Sequence, residues 1–304
     1  MSQTPLVSIL IPTYNMGEFI EEAIDSAIQQ TYQNCEIIIV DNCSTDTTLT
    51  ILKKYKYNTN IFIYKNDSNV GMIQNWNTCL LYAKGKYIKF INADDALLPQ
   101  AVSCFVKIME EMPSVSVVTS PYMTFGSQEE KSLPLIPYGL TDGKVAILKS
   151  IQTYNWIGSP TQVMFRKKDL KVGFFNIATN YWSDWEFWFK LLLVGDLYMA
   201  EEILTKYRIH GGQISRDFDN KFEIEILNFF QILTHSAPFS FCRNELHKQM
   251  KEKRYRLYVS AVSHFRQRKY HLAKELFDVS GNNLFSPMLS KLLSSKIKNK
   301  LWHV

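Results

Sequence analysis

Glycine is scarce in this chain, 12 residues in 304, and the two commonest glycine-built phosphate cradles, GxGxxG and GxxxxGK[ST], are both missing. Any nucleotide handled here must be held by another device. Cysteine is sparse too. Cys35, Cys43, Cys79, Cys104 and Cys242 form no CxxC and no Cys/His pair at zinc spacing, which excludes a disulfide framework and a structural zinc site and leaves reduced, mostly buried thiols. No apolar run approaches the roughly 18 residues of a spanning helix. The start, MSQTPLVSILIP, has neither the basic segment nor the small-residue cleavage site of a secretion signal, so the chain reads as cytosol-facing. With 46% hydrophobic and 21% charged residues, disordered, collagenous and coiled-coil classes are also out.

Charge is present in modest excess but unevenly placed. Arg243 to Val304 carries 14 Lys/Arg against 4 Asp/Glu, a net +10, which leaves −5 on everything before it. Two functional zones follow. The basic end suits an anionic surface, while the acidic remainder argues against nucleic acid as a partner along the whole length.

The apolar run LVSILI (6–11), closed by Pro12, suits a fully buried parallel strand. Phe19, Ala23, Ile24, Ala27 and Ile28 then recur at helical spacing, with Glu18, Glu21, Glu22 and Asp25 on the other face. EIIIVD (36–41) reads as a second strand, 46–56 as a helix, NIFIYK (60–65) as a third strand, and Asn75–Ala83 as a helix stopping at Gly85. KYIKFINADD (86–95) reads as the fourth strand, with Pro99 opening the next helix and SVSVVTS (114–120) making a fifth strand. From about 125 to 155 the pattern weakens into loops. QVMFR (162–166) is strand-like, 184–194 helical, and the chain after 215 reads as helices broken near Pro238, Gly281 and Pro287. Strand and helix in strict alternation imply an α/β fold, a three-layer sandwich around a mostly parallel sheet, with a helical C-terminal region. Such sheets bind ligands beyond the carboxyl ends of their strands. The polar residues fall there: Thr13-Tyr14-Asn15, Asp41-Asn42 and Asn92-Ala93-Asp94-Asp95.

Adjacent carboxylates at the mouth of a buried strand are costly unless they meet a cation. Asp94-Asp95 therefore points to Mg²⁺ or Mn²⁺, whose shell substrate phosphates commonly complete, or else to a cap on the helix near Pro99.

The words VSILIPTYN, EIIIVDNCSTD, NVGMIQNWN, AKGKYIKFINADDALLP, WSDWEFWFKL and YRIHGGQIS, in this order over about 1–215, resemble the successive signatures of family 2 inverting glycosyltransferases with the GT-A fold. The resemblance implies a nucleotide-sugar donor, a divalent metal and a division into a GT-A catalytic domain (1–215) and a helical basic region (216–304). Carried over position by position, it places Pro12, Thr13 and Tyr14 around a uracil or thymine base, with Asp41 or Asn42 bonding that base. Asn92-Ala93-Asp94 stands at the DxD position; Asn92 would reach the ribose and Asp94 the metal, with Asp95 supporting or capping. Asn69, Gly71 and Asn77 fall in the segment near the donor, and Trp76 stands where relatives often carry a basic residue. Asp184 matches the catalytic base. Arg208 and His210 belong to a loop that closes over the diphosphate, with His210 completing the metal shell in some members. Trp156, Trp182 and Trp185 are candidates for stacking on an acceptor sugar, against a plain core role that also covers Trp188; Tyr154, Ser159 and Pro160 are weaker acceptor candidates.

By the same resemblance the acceptor is a glycan on a polyprenyl diphosphate, built into bacterial surface polysaccharide (O-antigen or capsule) at the inner face of the plasma membrane. The departures Asn92 and Ser183, the latter where relatives often have Glu, keep a non-catalytic sugar- or membrane-binding scaffold as the alternative. A nucleotidyltransferase would need a basic glycine-rich loop that PTYNMGE (12–18) lacks. Leu284, Phe285, Met288, Leu289, Leu292, Leu293, Ile297 and Leu301 recur at helical spacing among Lys291, Lys296, Lys298 and Lys300, a pattern that suits a helix lying on anionic lipid or docked on its own domain.

Overall fold

The computed structural model describes residues 4–127, 129–130, 136–153, 156–211 and 220–281. The stripe at 284–301, Tyr154 and the end of the YRIHGGQIS word lie outside them. Two compact units result, Met1–Gln213 and Ile214–Val304.

In the first unit, β1 (Val7–Thr13), α1 (Ile20–Ile28), β2 (Cys35–Asp41), α2 (Thr48–Leu52), β3 (Ile61–Lys65), α3 (Met72–Tyr82) and β4 (Tyr87–Phe90) follow the expected alternation. Every residue of β1 and β4 is buried, as continuous apolar runs require of strands covered on both faces. The fourth strand is shorter than the sequence suggests. Asn92 to Asp95 leave the ladder in a turn closed by Asp95 N–H on Asn92 O at 2.9 Å, and the two-residue β5 (Ala96–Leu97) joins a different sheet.

Then come α4 (Ala101–Glu111), β6 (Val115–Thr119), β7 (Tyr122–Gly126), β8 (Gly139–Thr141), α5 (Gly143–Thr153), β9 (Met164–Arg166), α6 (Ser183–Leu192), β10 (Asp196–Met199) and β11 (Thr205–Ile209). The expectation of loops over 125–155 is corrected by α5, whose buried face is Ala146, Ile147, Ser150 and Ile151. Its weak apolar stripe, interrupted by Ser150 and opened by a glycine, hid it from a reading by periodicity. Gly143 is required there, since a Cβ would meet Leu192 O at 2.1 Å.

The main sheet runs β3-β2-β1-β4-β9-β6-β10-β8, and β5-β11-β7 form a small second one. In the main sheet β9 is antiparallel to both neighbours and β8 to β10; the rest is parallel. Because β9 is reversed, the short 3₁₀ turn before it, Pro160–Gln162, lies at the carboxyl ends of β4 and β6. The C-terminal end of α6 sits at the start of β6, where Asp196 N–H donates to Ser114 O at 2.9 Å. A ten-residue helix and a five-residue strand are each about 15–17 Å long. The first turn of α6, with Asp184, therefore reaches the same carboxyl edge.

The second unit contains α7 (Asn220–His235), a 3₁₀ turn over Ala237–Cys242, α8 (Arg243–Arg266) and α9 (Tyr270–Ser280), which ends on Gly281 at φ +70°. Lys253 Nζ meets Glu223 Oε2 at 3.2 Å. All five cysteines are free thiols, Cys79 and Cys242 buried and the others half-buried. Among the described residues no helix is long and apolar enough to cross a membrane.

Candidate active site

Three clusters meet at the carboxyl edge. The first lies where β1 and β2 end in register, Thr13 opposite Asp41. The loops that follow are stitched together: Asn15 N–H donates to Ser44 Oγ, Met16 N–H to Thr48 Oγ1, Gly17 N–H to Asp46 Oδ2, and Thr45 N–H to Asn15 Oδ1, all at 2.8–2.9 Å. Asn15 and Cys43 take left-handed backbone, φ +51° and +64°, an uncommon conformation that clusters at functional loops. Thr13 Oγ1 and Asp41 Oδ1 are buried without a hydrogen bond, while Asp41 Oδ2 accepts Ser44 N–H at 3.1 Å. A buried carboxylate oxygen and hydroxyl left open side by side fit a ligand that supplies the missing partners. Pro12 is buried beneath, and Tyr14 is 41% exposed at the rim.

Asn42 has a different task. Its Nδ2 donates to Asn69 Oδ1 at 2.8 Å, and its Oδ1 accepts from Asn66 Nδ2 at 2.9 Å and Val70 N–H at 3.0 Å. Asn69 Oδ1 also accepts Gly71 N–H at 2.9 Å, and Asn66 passes on to Asn75. This chain of amides shapes the turn that enters α3 at Gly71, φ +86°. Of the two candidates for the base, Asp41 has the open atom. Asn77 is also corrected: both ends of its amide bond the backbone of Phe175, at 2.9 and 3.0 Å, so it pins the segment leading to α6 and has nothing left for a donor. Trp76 packs edge-on against Phe175 at 5.1 Å, a core role.

The second cluster is the NADD turn. The ladder between β5 and β11 brings Arg208 and His210 to it. Asp94 Oδ2 and His210 Nε2 stand 3.2 Å apart, both largely shielded, with the His210 ring 4.6 Å from that of Phe19. Two ligands of one ion at about 2.1 Å and roughly right angles would show this spacing. The pair thus fits a divalent metal. No group of three or more His, Cys, Asp or Glu converges among the described residues, so other ligands would come from substrate or water. Arg208 lies between Phe19 and Phe125, its Nε donating to Asp94 O at 2.8 Å and its Nη2 paired with Glu22.

Asp95 is no helix cap: α4 begins after Gln100, and Asp95 is 1% exposed. Its Oδ2 accepts Thr161 Oγ1 at 2.6 Å and Asn92 Nδ2 at 3.2 Å; its Oδ1 accepts Arg208 N–H at 3.0 Å. Burial, then the nearby Asp94 charge, pushes the carboxyl up to about 7. Beneath it lies Lys89, fully buried, donating to Thr161 O and, at 3.2 Å, to Val163 O. Desolvation holds its pKa well below the ordinary range, with Asp95 opposing. Lys89 and Thr161 escape a reading by motif. Lys89 left one signal, a charge inside an otherwise apolar strand; Thr161, Glu22 and Phe19 left none.

The third cluster is the start of α6. Asp184 is partly exposed, its Oδ1 accepting Trp185 N–H at 2.9 Å, and desolvation pushes its carboxyl up to about 7. A group tuned near neutrality suits proton transfer. Trp182 and Trp185, 4% and 2% exposed, pack edge to face with ring centres 4.9 Å apart. Their burial corrects the expectation that they stack on an acceptor sugar. Trp188 is fully buried, and Trp156 remains half-buried.

A nucleotide-sized mouth, an Asp–His pair fit for a metal and a tuned carboxylate on one edge of an α/β sheet define a group-transfer enzyme acting on a nucleotide-linked donor. The sequence model of Glycosyl transferase family 2 matches residues 8–174, and the chain belongs to this family. An uncharacterized glycosyltransferase of Rickettsia prowazekii is 31% identical over 222 residues, 72% of this chain and 69% of that one. WfaP of Escherichia coli, a UDP-Glc:α-D-GlcNAc-diphosphoundecaprenol β-1,3-glucosyltransferase, is 32% identical over 228 residues, 72% of this chain and 82% of WfaP. The solved structure of Staphylococcus aureus TarS residues 1–349 in complex with UDP-GlcNAc superposes with a TM-score of 0.67 at 18% identity, over 98% of this chain and 86% of that one. The fold is of the GT-A type.

Proposed function

We propose that this glycosyltransferase is metal-dependent and inverting, and that it moves a sugar from a UDP-sugar, or a dTDP-sugar, to a lipid-linked glycan during synthesis of a bacterial surface polysaccharide. The observation that carries the reading is the Asp94–His210 pair at the edge where Thr13 and Asp41 hold open polar atoms. Asp41 and Thr13 receive the base, Tyr14 flanks it, and Asn92 lies toward the ribose. Asp94 and His210 would hold Mn²⁺ or Mg²⁺, which when bound balances the charge of the departing diphosphate. Arg208, fixed between two rings, adds a cation at the same mouth. Inversion is an in-line displacement, so the acceptor hydroxyl must lose its proton on the face away from the leaving group, and Asp184 takes it. The base–diphosphate donor of TarS and the diphosphoundecaprenol acceptor of WfaP support the choice of substrates.

Screening UDP- and dTDP-sugars for slow, metal-dependent release of nucleoside diphosphate without acceptor tests the reading. One donor is expected to be hydrolysed and to raise the melting temperature; turnover of none would leave a non-catalytic sugar-binding scaffold.

Residues 1–215 act as the catalytic part in this reading, and 216–304 as the part that meets an anionic membrane at the inner face of the plasma membrane. A chain shortened to residues 1–283 is expected to hydrolyse donor yet lose co-sedimentation with anionic liposomes, and full-chain binding should weaken with salt. Equal sedimentation of both would give the tail a purely structural role.

A further inference from the structure

The edge of the main sheet opposite the nucleotide mouth holds a cavity of about 630 Å³ lined by five cations, Lys84, Lys86, Arg166, Lys167 and Lys168, and one acid, Glu110. Each negative group there already has its own cation. Glu110 takes Lys86 Nζ at 2.5 Å and the Tyr87 hydroxyl, which holds its carboxyl below the usual range. The exposed carbonyls at the C-terminal end of α4, where the helix dipole would repel an anion, take the Arg166 guanidinium: Met109 O at 2.6 Å and Met112 O at 2.9 Å. Two carboxylates lie behind the lining. Glu36 accepts from the backbone N–H of Lys84 at 2.7 Å and from the Ser8 hydroxyl at 2.5 Å, and Asp169 accepts from Ser116 Oγ at 2.8 Å.

Lys84, Lys167 and Lys168 are left without a carboxylate partner among the described residues. Counting Glu36 and Asp169 against the lining, the site still carries two surplus positive charges, on a stretch of chain (1–242) whose net charge is −5. The rim is held from the backbone side. Lys86 N–H donates to Leu6 O at 2.7 Å, Lys167 N–H to Lys86 O at 3.0 Å, and Gly85 N–H to Ser8 Oγ at 2.8 Å; a Cβ at Gly85 would meet Ser8 N at 2.5 Å. The lysines thus project from fixed points around a concave surface, which concentrates their field.

We propose that this cavity is a second anion site, remote from the nucleotide mouth, that takes a phosphate-bearing ligand with a short organic part. The phosphate answers the three unpaired ammonium groups. The volume lies in the range of small-molecule pockets, and Met109 and Pro113 provide an apolar wall, so a bare ion would leave most of the space unfilled. The same chemistry is offered by a phosphorylated metabolite in solution and by the headgroup of an anionic lipid.

The test uses the full chain with EDTA, and UDP in excess to fill the mouth. Inorganic pyrophosphate is titrated calorimetrically, and co-sedimentation is measured with vesicles of phosphatidylglycerol in phosphatidylcholine. Wild type is compared with the triple variant Lys84→Ala, Lys167→Ala, Lys168→Ala, and with Lys168→Glu alone should the triple variant not fold. We expect binding about tenfold weaker in the triple variant, as three exposed charge contacts would give together, while donor hydrolysis stays unchanged. A loss in the pyrophosphate arm assigns a soluble ligand; a loss with vesicles alone assigns a lipid headgroup. Wild type and variants alike in both arms, or no binding by wild type in either, overturns the proposal. The outcome does not depend on which sugar the enzyme transfers.

Discussion

Asp184→Asn is expected to lower sugar transfer by about 10²–10⁴-fold, the usual contribution of a general base, with affinity for the nucleotide-sugar nearly unchanged. The amide keeps the size of the side chain and cannot accept the acceptor's proton. Because desolvation pushes the Asp184 carboxyl up to about 7, wild-type transfer should rise with pH through that value and level off above it; the variant should lose this limb. The same shift acts on stability with a definite sign. Between the ordinary carboxylate range and about 7 the folded chain holds a proton that the unfolded chain has released, so rising pH destabilises the fold across that window. Removing the charge should therefore make Asp184→Asn melt above wild type at pH 8, by about 2–4 °C for roughly 1 kcal/mol, and level with it near pH 4. Half or more of wild-type turnover in the variant would exclude Asp184 as the base.

Asp94→Ala and chelation should have one effect, a fall in transfer of about 10²-fold or more, as loss of several kcal/mol of charge stabilisation implies. Added Mn²⁺ or Mg²⁺ should restore the chelated wild type and leave the variant inactive. Titration of Mn²⁺ followed by electron paramagnetic resonance gives a readout independent of turnover: wild type should bind, and Asp94→Ala and His210→Ala should each bind less tightly. Full transfer in excess EDTA would remove the metal from the reaction, and Asp94 from that role.

The parallel half of the sheet was legible because its strands are short, wholly apolar runs, each closed by the polar residues that later line the mouth. Asp41, Asp94, Asp184 and His210 could be picked out for the same reason: they sit beside strong words. What escaped was set by partners distant in sequence. The reversal of β9 is decided by its neighbours, and nothing in MFR announces it. Asn77 and Asn42 have the look of ligand contacts, since a polar residue near a site is ambiguous until its hydrogen bonds are known; one amide fastens Phe175 and the other anchors a turn. The tryptophans around Asp184 posed the opposite problem. Spacing by three is equally good for a sugar platform and for a core, and burial decides for the core in Trp182 and Trp185.

The three groups gathered by Asp95, from Asn92, Thr161 and Arg208, have a bearing on how the enzyme comes into being. Thr161 is 66 residues away along the chain and Arg208 113, so their meeting closes loops that are among the costliest to form early. Sheet and helices can assemble from local pairings well before this clasp does. The active site is then a late event in folding, completed only when β11 docks, and a ribosome-bound chain that ends after β9 carries Asp94 but lacks Asp184, Arg208 and His210. Newly made protein would be compact before it is competent, which keeps a half-built site from acting on the donor pool.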